Sequence, residues 1–181
     1  VEKLRLLVQP IGEVPSEVLE HIAREIPTYL SFVDAEISRK SVGIPKGAFN
    51  QYRGQYLSTH ILNMLKKLFE EFDVDKILGV CDVDLYVPRL NFVFGEAEMR
   101  GRVALISIRR LRQEFYGFPP DDSLLKLRAL KEALHEIGHT LGLEHCFNPG
   151  CVMYFSNTIH DTDAKGPGFC DECLAKLAKM L

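Results

Sequence analysis

Long apolar runs are missing from this 181-residue sequence. None reaches the roughly 18 residues of a membrane-spanning helix, and no signal-peptide pattern opens the chain, so a cytoplasmic location without a membrane partner is expected. Internal repeats and low-complexity segments are absent too, which argues against repeat arrays and disordered tracts. Neither charge sign is in large excess: 22 Lys and Arg face 25 Asp and Glu, a formal net charge of −3. That balance calls for no nucleic-acid partner. One local run, "MRGRVALISIRRLR", is basic, but its middle is continuously apolar. Arginines solvated at the ends of a buried strand explain it better than a phosphate-binding patch. Cysteine is scarce and odd in number, five in all. An extracellular disulfide scaffold would spread its pairs along the chain, whereas Cys146, Cys151, Cys170 and Cys173 crowd together and Cys81 stands far away. The clustering suggests a metal.

Apolar residues make up 46% and charged residues 26%, ordinary proportions for a globular protein of a size that buries a real core. We expect one domain over 1–181, acting as a monomer, with an N-terminal part (1–142) and a small C-terminal part (143–181). Leu4 to Pro10 reads as a buried strand stopped by proline. Pro15 to Ile26 has the apolar spacing of a helix. "YLSFVDAEIS" alternates as a strand does. Ser58 or Thr59 is placed to cap a helix through "HILNMLKKLFEEF". "KILGVCDVDLYV", "LNFVFG" and "RVALISI" are further strands. "DDSLLKLRALKEALHEIGHTLGL" combines an acidic start with a long 3.6-residue period and is the clearest helix of the chain. Beyond it apolar periods vanish until a short helix, "DECLAKLAKML". Alternating strands and helices predict an α/β layer of roughly 140 residues followed by a small irregular subdomain.

The long helix carries the chemistry. His135 and His139 are four apart and stack on one face, both imidazoles aimed at one point. Gly142 can take positive φ, end the helix and let His145 return to the same metal. Three neutral histidines leave one zinc position open, where a water has its pKa lowered to roughly 7. Glu136 is rotated ~100° from His135, poorly placed as a ligand and well placed to take the proton of that water and pass it to a leaving amine. Chance would assemble this pattern on the order of a few times in 100,000 chains of such composition, so histidines merely decorating a helix are a poor explanation.

The span His135 to His145 resembles the metzincin signature, and Met153 sits where those metallopeptidases place the methionine of their Met-turn. More narrowly, "HEIGHTLGLEHC....CVM" followed by "CDEC" is similar to archaemetzincins, in which the third histidine runs straight into a four-cysteine set. "RGQYLS", "DVDLY" and "LNFVFG" add weaker likeness. The resemblance implies an α/β (α+β) fold with a twisted, mostly parallel sheet, one antiparallel strand, a long active-site helix and a cleft between two subdomains. It also implies that His135, His139 and His145 bind the catalytic zinc and that Glu136 is the base. One departure stands out: some metzincins have a zinc-binding tyrosine two residues after the methionine, and here that residue is Phe155.

Cys146, Cys151, Cys170 and Cys173 make the closed thiolate set of a structural zinc, giving two zinc ions in all, one catalytic and one structural. Such an ion would staple the loop carrying His145 and Met153. Two disulfides or a redox Cys-x-x-Cys are the rival readings. Met153 reads as a packed floor beneath the zinc and not as a ligand. His21 and His60 read as solvent-facing, His160 as a loop residue, and Asp82 and Asp84 as strand-end hydrogen-bonding groups. A peptide substrate would add as a strand to an exposed sheet edge, and our expected edge is Phe92, Val93, Phe94, Gly95, Glu96 and Ala97. The expected function is peptide-bond hydrolysis, by an endo- or aminopeptidase. A zinc-binding module with a closed or unused catalytic centre, or a zinc hydrolase of a non-peptide amide, stays open at this point.

Overall fold

A computed structural model describes residues 2–181. In chain order the elements are β1 (Leu4–Pro10), α1 (Ser16–Tyr29), β2 (Val33–Ile37), β3 (Phe49–Asn50), β4 (Gln55–Leu57), α2 (Ser58–Leu68), β5 (Lys76–Cys81), β6 (Leu85–Tyr86), β7 (Gly95–Ala97), β8 (Val103–Ser107), α3 (Asp122–Thr140), α4 (Ile159–Ala164) and α5 (Asp171–Met180). The main sheet runs β2-β1-β5-β8-β7. Its pairs are parallel except the last, in which β7 lies antiparallel to β8, Gly95 opposite Ile106 and Ala97 opposite Ala104. This is the expected mixed α/β sheet with one antiparallel strand.

Alternation along the strands feeds two cores. Leu6, Val8, Leu78, Val80, Ala104 and Ile106 face α1 and α3, while Leu7, Ile77, Val103 and Leu105 face α2. Strands covered on both faces must be apolar throughout, which is why β5 and β8 read as unbroken apolar runs. The cysteine-bearing C-terminal segment adds Cys151, Val152, Phe169, Cys173 and Leu177 to the first of these cores.

Several boundaries differ from those the sequence predicts. Helix α1 continues through Pro27 to Tyr29, since Ile26 and Leu30 are both buried and the Leu30 N–H closes on Ile26 O; β2 therefore starts only at Val33. The run "KILGVCDVDLYV" breaks into β5 and β6, which join different sheets, β6 pairing with β4 in a small sheet of order β3-β4-β6. The break falls at Asp82 and Asp84, which turn out to pair with arginines: Arg112 with Asp82, and Arg110 with Asp84 in a two-bond fork of 2.7 and 2.8 Å. The arginines around β8 are thus not merely solvated. Arg102 donates to the carbonyls of Phe69, Phe72 and Val74 and so ties the end of α2 to the sheet. In "LNFVFG" only Gly95 belongs to β7; Val93 makes an isolated bridge to Leu85, and Phe94 is drawn into the core. Ser58 and Thr59 do not cap α2. Their hydroxyls donate to Glu96 Oε1 at 3.0 and 2.7 Å, binding α2 to β7.

Candidate metal centre and active site

Helix α3 begins where Asp121 Oδ1 accepts the Leu124 N–H, and it ends in a Schellman turn. There the Gly142 N–H reaches His139 O at 3.0 Å and the Leu143 N–H reaches Gly138 O at 3.0 Å, with Gly142 at φ +107°. A side chain at Gly142 would also meet Met180 Sδ at 2.9 Å. The turn carries the chain back, and His135, His139 and His145 meet with ring centroids 4.7, 4.8 and 5.3 Å apart.

Two of these imidazoles are oriented by main-chain carbonyls. His135 Nδ1 lies 2.8 Å from Val152 O and His139 Nδ1 lies 2.7 Å from Leu143 O. Donation from Nδ1 leaves each Nε2 lone pair free and pointing inward, the arrangement that metal-binding histidines use. Desolvation holds all three imidazoles below the ordinary histidine pKa, the buried His135 most strongly and the exposed His145 through its inward side, which favours the neutral form that ligates. The Nε2 atoms of His135 and His139 are 3.2 Å apart. Two nitrogens ~2.0–2.1 Å from one tetrahedral zinc would be about 3.3 Å apart, so the donor set fits the ion.

The cysteines pass the same test. Cys146 and Cys170 have sulfurs 3.8 Å apart, as do Cys151 and Cys173, and all five cysteines are unpaired thiols. Sulfurs ~2.3 Å from a tetrahedral zinc are about 3.8 Å from one another. The set Cys146, Cys151, Cys170 and Cys173 has its four sulfurs within 4.8 Å. The Cys170 N–H donates to Cys151 Sγ at 3.4 Å and the Asn148 N–H to Cys146 Sγ at 3.5 Å, so main-chain donors face two of the four sulfurs. Cys81, by contrast, is fully buried among apolar strands, its thiol pushed up to about 12 by desolvation.

Glu136 lies outside the histidine triad, next to β7. It is buried, and desolvation first, then the neighbouring Glu132 and Glu96, pushes its carboxyl well above the ordinary value. A β-carbon on Gly95 would come 3.0 Å from Glu136 Cγ and 3.1 Å from Oε1, so only glycine lets the strand approach this closely. Met153 is fully buried and fills the space beneath Gly138, where a β-carbon would meet its sulfur at 2.4 Å. The Met153 carbonyl accepts the Cys146 N–H at 2.9 Å, which joins the methionine turn to the junction of His145 and Cys146. The Phe155 ring packs 4.9 Å from that of His145, where it offers no hydroxyl.

Three features were not anticipated. Gly138, inside the histidine motif, is needed for Met153, and an interior helix glycine is a sign of close approach. Helix α4 holds His160 on an exposed face, so that residue is helical and not in a loop; its Thr158–Asp161 capping box was visible in the sequence. Lys165 and Glu132 form a fully buried ion pair that no local spacing reveals.

A twisted mixed sheet over a long helix, with three convergent imidazoles, a buried glutamate and a methionine beneath, defines a zinc metallopeptidase of metzincin type. Comparison with known proteins narrows this. The model of Peptidase family M54 matches residues 12–179, and the chain belongs to that family. It is 49% identical over 181 residues to an archaemetzincin of Pyrococcus furiosus, covering 97% of this chain and 93% of the relative. It is also 49% identical over 174 residues to an archaemetzincin of Methanocaldococcus jannaschii, covering 96% and 93%. The crystal structure of an archaemetzincin from Methanopyrus kandleri superposes with a TM-score of 0.87 at 35% identity, covering 98% of this chain and 95% of that one.

Proposed function

We propose that this chain hydrolyses peptide bonds with Glu136 as its proton carrier, His135, His139 and His145 as the ligands of a catalytic zinc, and Cys146, Cys151, Cys170 and Cys173 as those of a structural zinc. The observation that carries the reading is the division of labour on α3. Two histidines one turn apart aim free Nε2 atoms at one point, while the intervening Glu136 faces the edge of the sheet. Zinc held there supplies a Lewis acid that brings the pKa of a water to roughly 7. Glu136 takes a proton from the water on its carboxylate and returns it to the leaving amine; burial raises its proton affinity, which favours the first of these steps. His145 is solvent-exposed, so the centre is reachable, which favours a working enzyme over a closed binding module.

Substrate backbone adds to β7. Phe94 O and the Glu98 N–H bond to β8, so by alternation the backbone groups of Gly95 and Ala97 face the open edge. The chain acts as one monomeric domain divided in sequence at the helix-ending turn of Gly142, with 143–181 stapled by the cysteine zinc. Free thiols suit a reducing cytoplasm. The test is incubation of the zinc-loaded protein with a peptide library, reading new termini by mass spectrometry. Internal termini mean endopeptidase action and stepwise shortening means aminopeptidase action. No cleavage, or equal cleavage by His139→Ala, would refute the proposal.

A further inference from the structure

Helix α3 is gripped by a buried ion pair whose members neither bind the metal nor carry the proton. The Lys165 side chain, directly after α4, has 0% of its surface exposed. Its ammonium donates to Tyr154 O at 3.0 Å and lies 3.3 Å from Glu132 Oε1. Glu132 is buried as well, and its Oε1 also accepts the Thr162 hydroxyl at 3.0 Å. Two charges withdrawn from water are a poor source of stability, since an apolar pair of equal size serves as well or better. What distinguishes this pair is where it sits.

Glu132 lies one turn before Glu136 on α3, on the same face. Tyr154 belongs to the methionine turn, where the two preceding carbonyls are already committed. Val152 O is 2.8 Å from His135 Nδ1, and Met153 O takes the Cys146 N–H. Phe155, the next residue, packs on His145. The Lys165 ammonium therefore joins the helix bearing His135 and His139 to the turn that seats His145. A methionine in its place would fill the volume and bond neither oxygen.

We propose that Lys165 is a positioning residue, its ammonium clamped between Glu132 Oε1 and Tyr154 O so that His145 is held in register with His135 and His139. The proposal rests on the histidine metal site described above. Cobalt(II) is the probe, added to protein whose cysteine site is filled with zinc, and the readouts are its visible spectrum, its affinity against a competing chelator, and thermal unfolding. Lys165→Met alone strands the Glu132 carboxylate and loses stability, so the deciding variant is Lys165→Met with Glu132→Met, which removes both charges. The double variant should melt near the wild type yet bind cobalt roughly 10- to 100-fold more weakly, with an altered spectrum. Wild-type cobalt affinity and spectrum in a stable double variant would show a merely structural pair and overturn the proposal. If the double variant does not fold, Glu132→Gln keeps the shape and loosens only the ionic half of the clamp. Weaker cobalt binding then supports the proposal and unchanged binding overturns it. A wild-type protein that binds no cobalt at its histidines would refute the metal-site reading instead.

Discussion

Gly95→Ala places one methyl group where β7 meets both its sheet neighbour and Glu136. The new β-carbon would lie 2.4 Å from Leu105 O, about 1 Å inside the 3.4 Å at which ordinary contact begins. Strand β8 is buried at every position and cannot retreat, so β7, at the edge, has to move. A shift of about 1 Å takes the Ser107 N–Phe94 O and Glu98 N–Val103 O bonds, now 2.9 and 3.0 Å, beyond hydrogen-bonding range. Two bonds at ~1 kcal/mol each, offset by the ~0.5–1 kcal/mol that alanine saves in backbone entropy, leave a net loss of about 1–1.5 kcal/mol. For a chain of this length that lowers Tm by roughly 2–6 °C. The methyl also presses on Glu136 Cγ and Oε1 at 3.0 and 3.1 Å, and a misplacement approaching 1 Å in a reacting group costs up to about 100-fold in rate. We therefore expect kcat to fall ~10- to 100-fold with zinc content unchanged. Thermal unfolding by circular dichroism, metal analysis and peptide hydrolysis on the same preparation measure all three. Wild-type Tm and kcat together would show that the close approach of β7 to Glu136 constrains nothing.

Stepwise chelation should separate two zinc ions per chain. A mild chelator takes the one at the histidines while the fold survives, and loss of the second, or Cys170→Ser or Cys173→Ser, melts the C-terminal segment. One zinc per chain with no titratable thiols would contradict this. A peptide-like inhibitor should pair its backbone with Gly95 and Ala97 in a crystal structure; contacts confined to the zinc and the loop after Met153 would refute the edge-strand assignment. In protein stripped of the histidine-site zinc alone, with the cysteine zinc kept, desolvation holds the imidazoles below their ordinary pKa, His135 most strongly, while the unfolded chain protonates them near pH 6.5, so the unfolded state binds more protons and stability falls as pH drops below that value. The raised Glu136 carboxyl acts in the opposite sense, its contribution fading as pH rises above the ordinary glutamate value, so Glu136→Gln isolates the histidines. With only the histidine-site zinc removed, its Tm should decline from pH 7 to pH 5, and a flat profile would mean that the imidazoles are already solvated.

The histidine centre was legible because its geometry is local. Spacing on a single helix brings His135 and His139 together, and one glycine whose φ must be positive returns His145. The cysteine set was legible for a related reason, since thiols crowded into a loop poor in apolar residues have few other uses. Long apolar strands and periodic helices could be read for the same cause, one period over many residues. Strands β3, β4 and β6, at two or three residues each, are shorter than any period that could announce them. What could not be read depends on distant partners. Ser58 and Thr59 look like caps until Glu96 arrives from β7, and Asp82 and Asp84 look like strand ends until the arginines after β8 fold over them. The Lys165–Glu132 pair joins residues 33 apart in sequence, and burial alone distinguishes that lysine from an ordinary surface one.

The central claim is that Glu136 moves protons and does not hold the metal. It is tested most directly by measuring zinc content and peptide hydrolysis on one preparation of Glu136→Gln. The account predicts wild-type zinc and a rate lowered at least ~100-fold, the range set by losing a general base. Loss of zinc from the histidine centre would make Glu136 a ligand, and a variant that keeps both zinc and rate would remove it from the chemistry altogether.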